Sequence, residues 1–187
     1  MKILCEISVR HVHLSDAHLK VLFGKDAKLG IVRELSQPGQ YLSDKKVDLV
    51  GAKRVIEGVS VLGPTRPQSQ VEISRSDCFV LGLRDVPVRQ SGDLKATPGL
   101  VLRAGDKAVE ISEGVIVAKR HIHVDPKTAQ MNNLSDGQIV SIKVGGERGG
   151  ILEGVVVRVH ANFAPSVHLD SDEGNALGTG NEVEIVV

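Results

Sequence analysis

Aromatic residues are scarce. Tryptophan is absent, and one tyrosine and three phenylalanines stand among 187 residues. A platform that stacks nucleic-acid bases needs such rings, so this composition argues against one. Charge of one sign is also lacking. Lys plus Arg equals Asp plus Glu at 23 each, the formal net charge is zero, and no basic run marks a nucleic-acid partner. Two cysteines, Cys5 and Cys78, are too few for a disulfide framework. Both lie in apolar, strand-like runs and are expected as buried free thiols. No stretch approaches the roughly 20 apolar residues that cross a bilayer, so no membrane association is expected. The start, Met1-Lys2-Ile3-Leu4-Cys5-Glu6, is interrupted by charge too soon for a signal peptide. A reduced, cytoplasmic setting follows.

With few rings, the core must come from Val, Leu and Ile, which favour strands, while 20 glycines supply tight turns. The expected fold class is therefore mainly β. Residues 3–9 read as a strand. Ser15 can cap a short helix that runs to Phe23 and ends at Gly24. From Gly39 to Val80 the pattern is strand and turn. Strands are expected at 46–51, 55–62 and 70–74, with Gly63-Pro64-Thr65-Arg66-Pro67 as a turn. Residues 85–99 are polar and hold two prolines and two glycines, which places a boundary there. The halves are then 1–88 and 89–187, with strand exchange between them allowed. Strands resume at 100–103 and 108–111. Asp125 and Pro126 open a second helix that runs to about Asn133, and strands follow at 138–144, 154–160, 166–170 and 182–187.

One short motif occurs twice. Arg10-His11-Val12-His13 and Arg120-His121-Ile122-His123 each follow a β-rich run and precede a helix start. In a strand, residues two apart point to one side. His-x-His thus aims two imidazoles at one point, a good base for a transition metal. The repeat extends further. Glu57-Gly58-Val59-Ser60-Val61 matches Glu153-Gly154-Val155-Val156-Val157, and carrying that register forward lays Val71-Glu72-Ile73 on Val167-His168-Leu169. This register differs from the one that pairs the His-x-His motifs, so the first half carries an insertion.

Each half then offers three donors: His11, His13 and Glu72, and His121, His123 and His168. Three protein ligands are what a catalytic zinc uses, whereas structural sites are closed by four. Arg66 stands where the other half has Asn162, and its guanidinium suits a bound anion such as phosphate. His18 is expected on a helix surface, and His160 as a packed or surface histidine.

Several segments resemble a known family. These are Arg10-His11-Val12-His13-Leu14-Ser15, Leu35-Ser36-Gln37-Pro38-Gly39-Gln40, Leu62-Gly63-Pro64-Thr65-Arg66, Gln70-Val71-Glu72-Ile73-Ser74-Arg75, Gln90-Ser91-Gly92-Asp93, Arg120-His121-Ile122-His123, Val144-Gly145-Gly146-Glu147-Arg148-Gly149 and the run from His168 to Ala176. In this order they resemble the PduL-type phosphate acyltransferases (phosphate propanoyltransferases), over nearly the whole chain. The resemblance implies two similar β-barrel domains with short capping helices. It implies two zinc ions per chain, one held by His11, His13 and Glu72, the other by His121, His123 and His168, with Arg66 as the catalytic arginine. It further implies reversible transfer of a short acyl group, acetyl or propanoyl, between CoA and phosphate, and a homodimer. Microcompartment members carry an amphipathic N-terminal extension. The first motif here begins at Arg10, so the expectation is a resemblance to the cytosolic or unencapsulated members, or a chain trimmed at its N-terminus.

In such a reaction phosphate is expected at Arg66 and the three-His zinc, and the CoA sulfur at the other zinc. The alternatives are a two-metal hydrolase of a thioester or phosphoester, which would not need phosphate, and a non-enzymatic module with structural zinc, which would not turn over.

Overall fold

Apolar β-branched residues alternate with polar ones along short, turn-bounded segments, and the computed structural model, which describes residues 1–186, forms strands from them. In chain order the elements are β1 (Lys2–Ser8), β2 (His11–His13), α1 (Asp16–Phe23), β3 (Ile31–Glu34), β4 (Tyr41–Val50), β5 (Val55–Gly63), β6 (Gln70–Glu72), α2 (Arg75–Leu81), β7 (Val88–Arg89), β8 (Leu100–Ala104), β9 (Lys107–Ile111) and β10 (Val115–Ala118). They continue as β11 (His121–Val124), α3 (Pro126–Met131), β12 (Ile139–Val144), β13 (Gly150–Val159), β14 (Ser166–Asp170), α4 (Ser171–Leu177) and β15 (Glu182–Val186). The fold is mainly β with short helices, as the composition required.

The chain forms two compact units. Arg10–Ala118 makes one, and Met1–Val9 together with the chain from Lys119 onward makes the other. The boundary expected after residue 88 lies inside the first of these. The reason is strand pairing: β8 pairs with β4, and β10 pairs with β6, so the segment after the Pro/Gly-rich stretch completes the unit that precedes it. Conversely, β1 pairs with β14 and β15. A polar, proline-containing stretch marks a loop, and it does not reveal which sheet the next strand joins.

The unit that contains β1 is a closed barrel in the order β1-β14-β11-β13-β12-β15. The other holds the path β10-β6-β2-β5-β4-β8 within a longer curled sheet, extended by β7 and β9 and flanked by β3 on β4. The two six-strand paths match element for element, which bears out the duplication. The insertion the repeat required is visible as β3, which has no counterpart between α3 and β12 among the described residues.

Each unit has its own core. One gathers Val12, Leu14, Val47, Leu49, Val61 and Val71 with their neighbours, and the other Ile122, Val124, Ile142, Val157, Val167 and Leu169. The middle residue of each His-x-His, Val12 or Ile122, is wholly buried in its core. Fully burying such a side chain stabilises by about 1.5–3 kcal/mol. Its histidine neighbours are thereby held on the opposite face of the strand.

Two helices were not legible as such. Cys78 was expected on a strand-like run but lies on α2, whose apolar residues Cys78 and Leu81 are buried one turn apart. Ser74 and Asp77 cap that helix reciprocally, and Asp170 and Glu173 do the same for α4. This S/D-x-x-D/E pattern is a helix-start signature.

Candidate metal centres

In the unit Arg10–Ala118, β2 runs antiparallel to β6 with His11 opposite Glu72, Val12 opposite Val71 and His13 opposite Gln70. Directly paired residues point to the same face, so the two imidazoles and the carboxylate converge. One donor atom from each of His11, His13 and Glu72 lies within 4.8 Å of the others. All three residues are buried. Burial above all, with the neighbouring His11 and Arg66, pushes His13 down to about 3, against a smaller opposing pull from Glu72. Burial pushes Glu72 up, but His11, His13 and a hydrogen bond from Ser91 outweigh it and hold the carboxyl well below its ordinary range. The group is two neutral-capable imidazoles and one carboxylate anion.

Arg66 sits beside this group. Its backbone N–H donates to the Leu14 carbonyl at 2.9 Å, which ties the turn to the residue after His13. Its Nη1 donates to Ser91 Oγ at 2.9 Å, and Ser91 in turn donates to Glu72 Oε1 at 2.8 Å. Ser91 belongs to the Gln90-Ser91-Gly92-Asp93 segment. Gly92 has a φ of +96°, a backbone that side chains rarely adopt, and its N–H donates to Gln70 Oε1 at 2.8 Å.

The barrel repeats the arrangement. β11 runs antiparallel to β14 with His121 opposite His168, Ile122 opposite Val167 and His123 opposite Ser166. The three histidines again offer donor atoms within 4.8 Å of one another. His121 Nδ1 lies 2.8 Å from the Lys119 carbonyl, so Nδ1 carries the proton and Nε2 keeps its lone pair. Ser166 Oγ lies 2.9 Å from His168 Nε2, and Glu6 Oε2 lies 3.7 Å from it. Burial, with His121, His168 and Arg158, pushes His123 down to about 2. The Phe163 ring stacks on His123 with centroids 3.9 Å apart.

Both groups are braced alike. Arg10 donates through Nε at 2.9 Å and Nη2 at 2.7 Å to Asp77 Oδ1. Arg120 Nε lies 3.1 Å from Glu173 Oε1. In each case the arginine before His-x-His grips the acidic residue in the first turn of the helix that follows the third donor. Sequence reasoning singled out neither acid, although the S/D-x-x-D/E pattern was there to find.

A zinc-type ion fits both groups. The donors are imidazole nitrogen and carboxylate oxygen at convergent positions. His13 Nδ1 and both ring nitrogens of His123 are buried without a hydrogen-bond partner. Leaving such an atom unpaired costs about 1–3 kcal/mol, and an ion removes that cost. The other histidines stand apart from these groups. His18 is not simply on the surface: it is half-buried, and its Nδ1 lies 2.8 Å from Ser69 Oγ, which also accepts from the Ser15 N–H. His160 is exposed. Cys5 and Cys78 are buried thiols, and burial, with Glu6, pushes the Cys5 thiol up to about 11. That thiol is a poor nucleophile.

No helix is long and apolar enough to cross a membrane among the described residues. The sequence model of a family described as phosphate propanoyltransferase matches residues 4–180. The chain is 49% identical over 187 residues to a phosphate propanoyltransferase of Thermotoga maritima, covering 98% of this chain and 89% of that protein. It is 46% identical over 176 residues to one of Alkaliphilus metalliredigens, covering 94% and 82%. It is 47% identical over 173 residues to one of Listeria monocytogenes, covering 92% and 81%.

Proposed function

The chain belongs to the phosphate propanoyltransferase family, an acyltransferase, and on that premise we propose that it holds two zinc ions and moves a short acyl group, acetyl or propanoyl, reversibly between CoA and inorganic phosphate. The observation that carries this reading is the pair of three-donor groups, His11, His13, Glu72 and His121, His123, His168, one of them with Arg66 alongside. Three protein donors leave a coordination position for substrate, as catalytic zinc requires.

When bound, zinc supplies Lewis acidity and affinity for a thiolate. The chain's own residues do the rest. Arg66 is a permanent cation whose planar fork matches two phosphate oxygens, and Ser91 holds one of its nitrogens in place. Glu72 stays ionised under the hydrogen bond from Ser91 and the neighbouring imidazoles. His13 and His123, kept neutral by burial, retain donor lone pairs at ordinary pH.

In the forward direction a phosphate oxygen bonds to the thioester carbonyl carbon as the carbon–sulfur bond breaks. CoA departs, the phosphate proton ends on its sulfur, and acyl phosphate is formed. No acyl-enzyme is needed, which agrees with the buried thiols of Cys5 and Cys78.

The test is thiol release from acetyl-CoA and propanoyl-CoA, with and without phosphate, on protein whose zinc has been counted. Release that requires phosphate, from protein with about two zincs, is expected. Equal release without phosphate points to a hydrolase and overturns the reading.

A further inference from the structure

Gln70 opens β6 two residues before Glu72, on the same face of the strand, and is 1% exposed. A buried carboxamide needs partners for its oxygen and both N–H groups, and here they dictate its orientation. Oε1 accepts from the Gly92 backbone N–H at 2.8 Å. Nε2 therefore faces the other way, where it donates to Ser91 Oγ at 2.9 Å and to Glu72 Oε1.

A serine hydroxyl has one proton and two lone pairs. Arg66 Nη1 and Gln70 Nε2 can only donate, so they take both lone pairs of Ser91. The hydroxyl proton has one place left to go, Glu72 Oε1 at 2.8 Å. A single hydrogen-bond direction thus runs from Arg66 and Gln70 through Ser91 to Glu72. It ends on Oε1 of Glu72, the oxygen that also lies 3.6 Å from His11 Nε2, and so holds the carboxylate beside its fellow donors.

We propose that Gln70 is a positioning residue that sets Glu72 for metal binding and, through Ser91, fixes the guanidinium of Arg66 toward the anionic substrate. The second part rests on the acyltransferase reading; the first does not. The barrel repeats the device at the equivalent place. Ser166 lies opposite His123 as Gln70 lies opposite His13, and its hydroxyl contacts the third donor His168 at 2.9 Å.

The perturbation is Gln70→Leu, which keeps the volume and removes every hydrogen bond of the amide. Chelator competition on the zinc-loaded protein should show one of two zincs held about 10- to 100-fold more weakly, the size typical of lost outer-shell support. The other zinc, an internal control, should be unchanged. At saturating zinc the KM for phosphate should rise at least tenfold, and the KM for acyl-CoA less than twofold. Ser91→Ala is the companion variant. It keeps the Gln70–Glu72 contact, so zinc should weaken less, while the KM for phosphate still rises.

Unchanged zinc affinity and KM in Gln70→Leu, or loss of both zincs together, overturns the proposal. If Gln70→Leu does not fold, Ser91→Ala decides, and an unaltered KM for phosphate counts against it. Absence of phosphate-dependent turnover in the unmutated protein refutes the acyltransferase reading instead, and the zinc comparison still judges the role of Gln70 at Glu72.

Discussion

Asp77→Ala is the sharpest test of how the His11 group is held. Asp77 has a side chain 3% exposed, and its Oδ1 receives two donors from Arg10, whose side chain is 45% exposed. Its Oδ2 accepts from the Ser74 backbone N–H at 3.1 Å. The charged hydrogen bonds contribute about 1–2 kcal/mol once Arg10's solvent exposure is discounted. The reciprocal cap contributes about 1 kcal/mol. The sum, about 2–3 kcal/mol, should lower the melting temperature by roughly 4–12 °C in a chain of this size.

Arg10→Ala should cost a comparable amount, because it leaves the Asp77 carboxylate buried without its cation. The double variant should then cost about 1–2 kcal/mol less than the sum of the singles. Differential scanning fluorimetry of the four proteins, zinc-loaded, measures this. If the single effects add to within about 0.5 kcal/mol, the pair is not coupled and the brace assigned to it does not exist. Loss of a real brace should also weaken zinc at one group only, since Arg10 directly precedes His11 and Asp77 lies five residues after Glu72.

Two further outcomes follow from the same geometry. Arg66→Ala should keep both zincs and lose about 2–4 kcal/mol of transition-state binding, a fall of roughly 30- to 1000-fold in kcat/KM for phosphate; steady-state kinetics with metal counting would expose the reverse pattern, zinc lost and activity kept. The metal-free protein should weaken in acid. His13 takes up its proton near pH 6.5 when unfolded but only near 3 when folded, so stability is fullest above about 6.5 and declines below it by up to ~1.4 kcal/mol per pH unit. His123 acts in the same direction, and equal urea midpoints for the metal-free protein at pH 7.5 and 5.5 would contradict this.

Much of both three-donor groups was legible in the sequence, because strand periodicity is strict. Once His-x-His lies on a strand, its two imidazoles share a face, and the repeat alone laid Glu72 on His168. The register of β2 on β6 and of β11 on β14 follows that alignment residue by residue. What stayed hidden depends on contacts distant in sequence. Ser91 reaches Glu72 across 19 residues, and no local pattern announces that. The helix α2 was masked because Cys78-Phe79-Val80-Leu81 reads as a short apolar run, for which strand and helix periods cannot be told apart. Segment 89–118 lies with the unit that precedes it for a related reason. The strand that leads into each His-x-His pairs with the third-donor strand of the other repeat: β1 joins β14, and β10 joins β6.

The duplication also makes the two groups chemically unequal, and the inequality has an order to it. The third donor is a carboxylate in one unit and an imidazole in the other. The residue two before it is Gln70 in one and Ser166 in the other. The loop between the equivalent strands supplies Arg66 to the first group, where it influences His13, and Phe163 to the second, where it stacks on His123. These changes compensate. Glu72 brings a negative charge into a buried site, and an arginine one hydroxyl away offsets it, which spares the unit an unpaired buried anion. The three-His group has no carboxylate among its donors; its nearby cation, Arg158, acts on His123 from β13, and the loop carries an apolar ring instead. Introducing glutamate at His168 without an arginine in that loop should therefore fail where the natural pair, Glu72 with Arg66, succeeds.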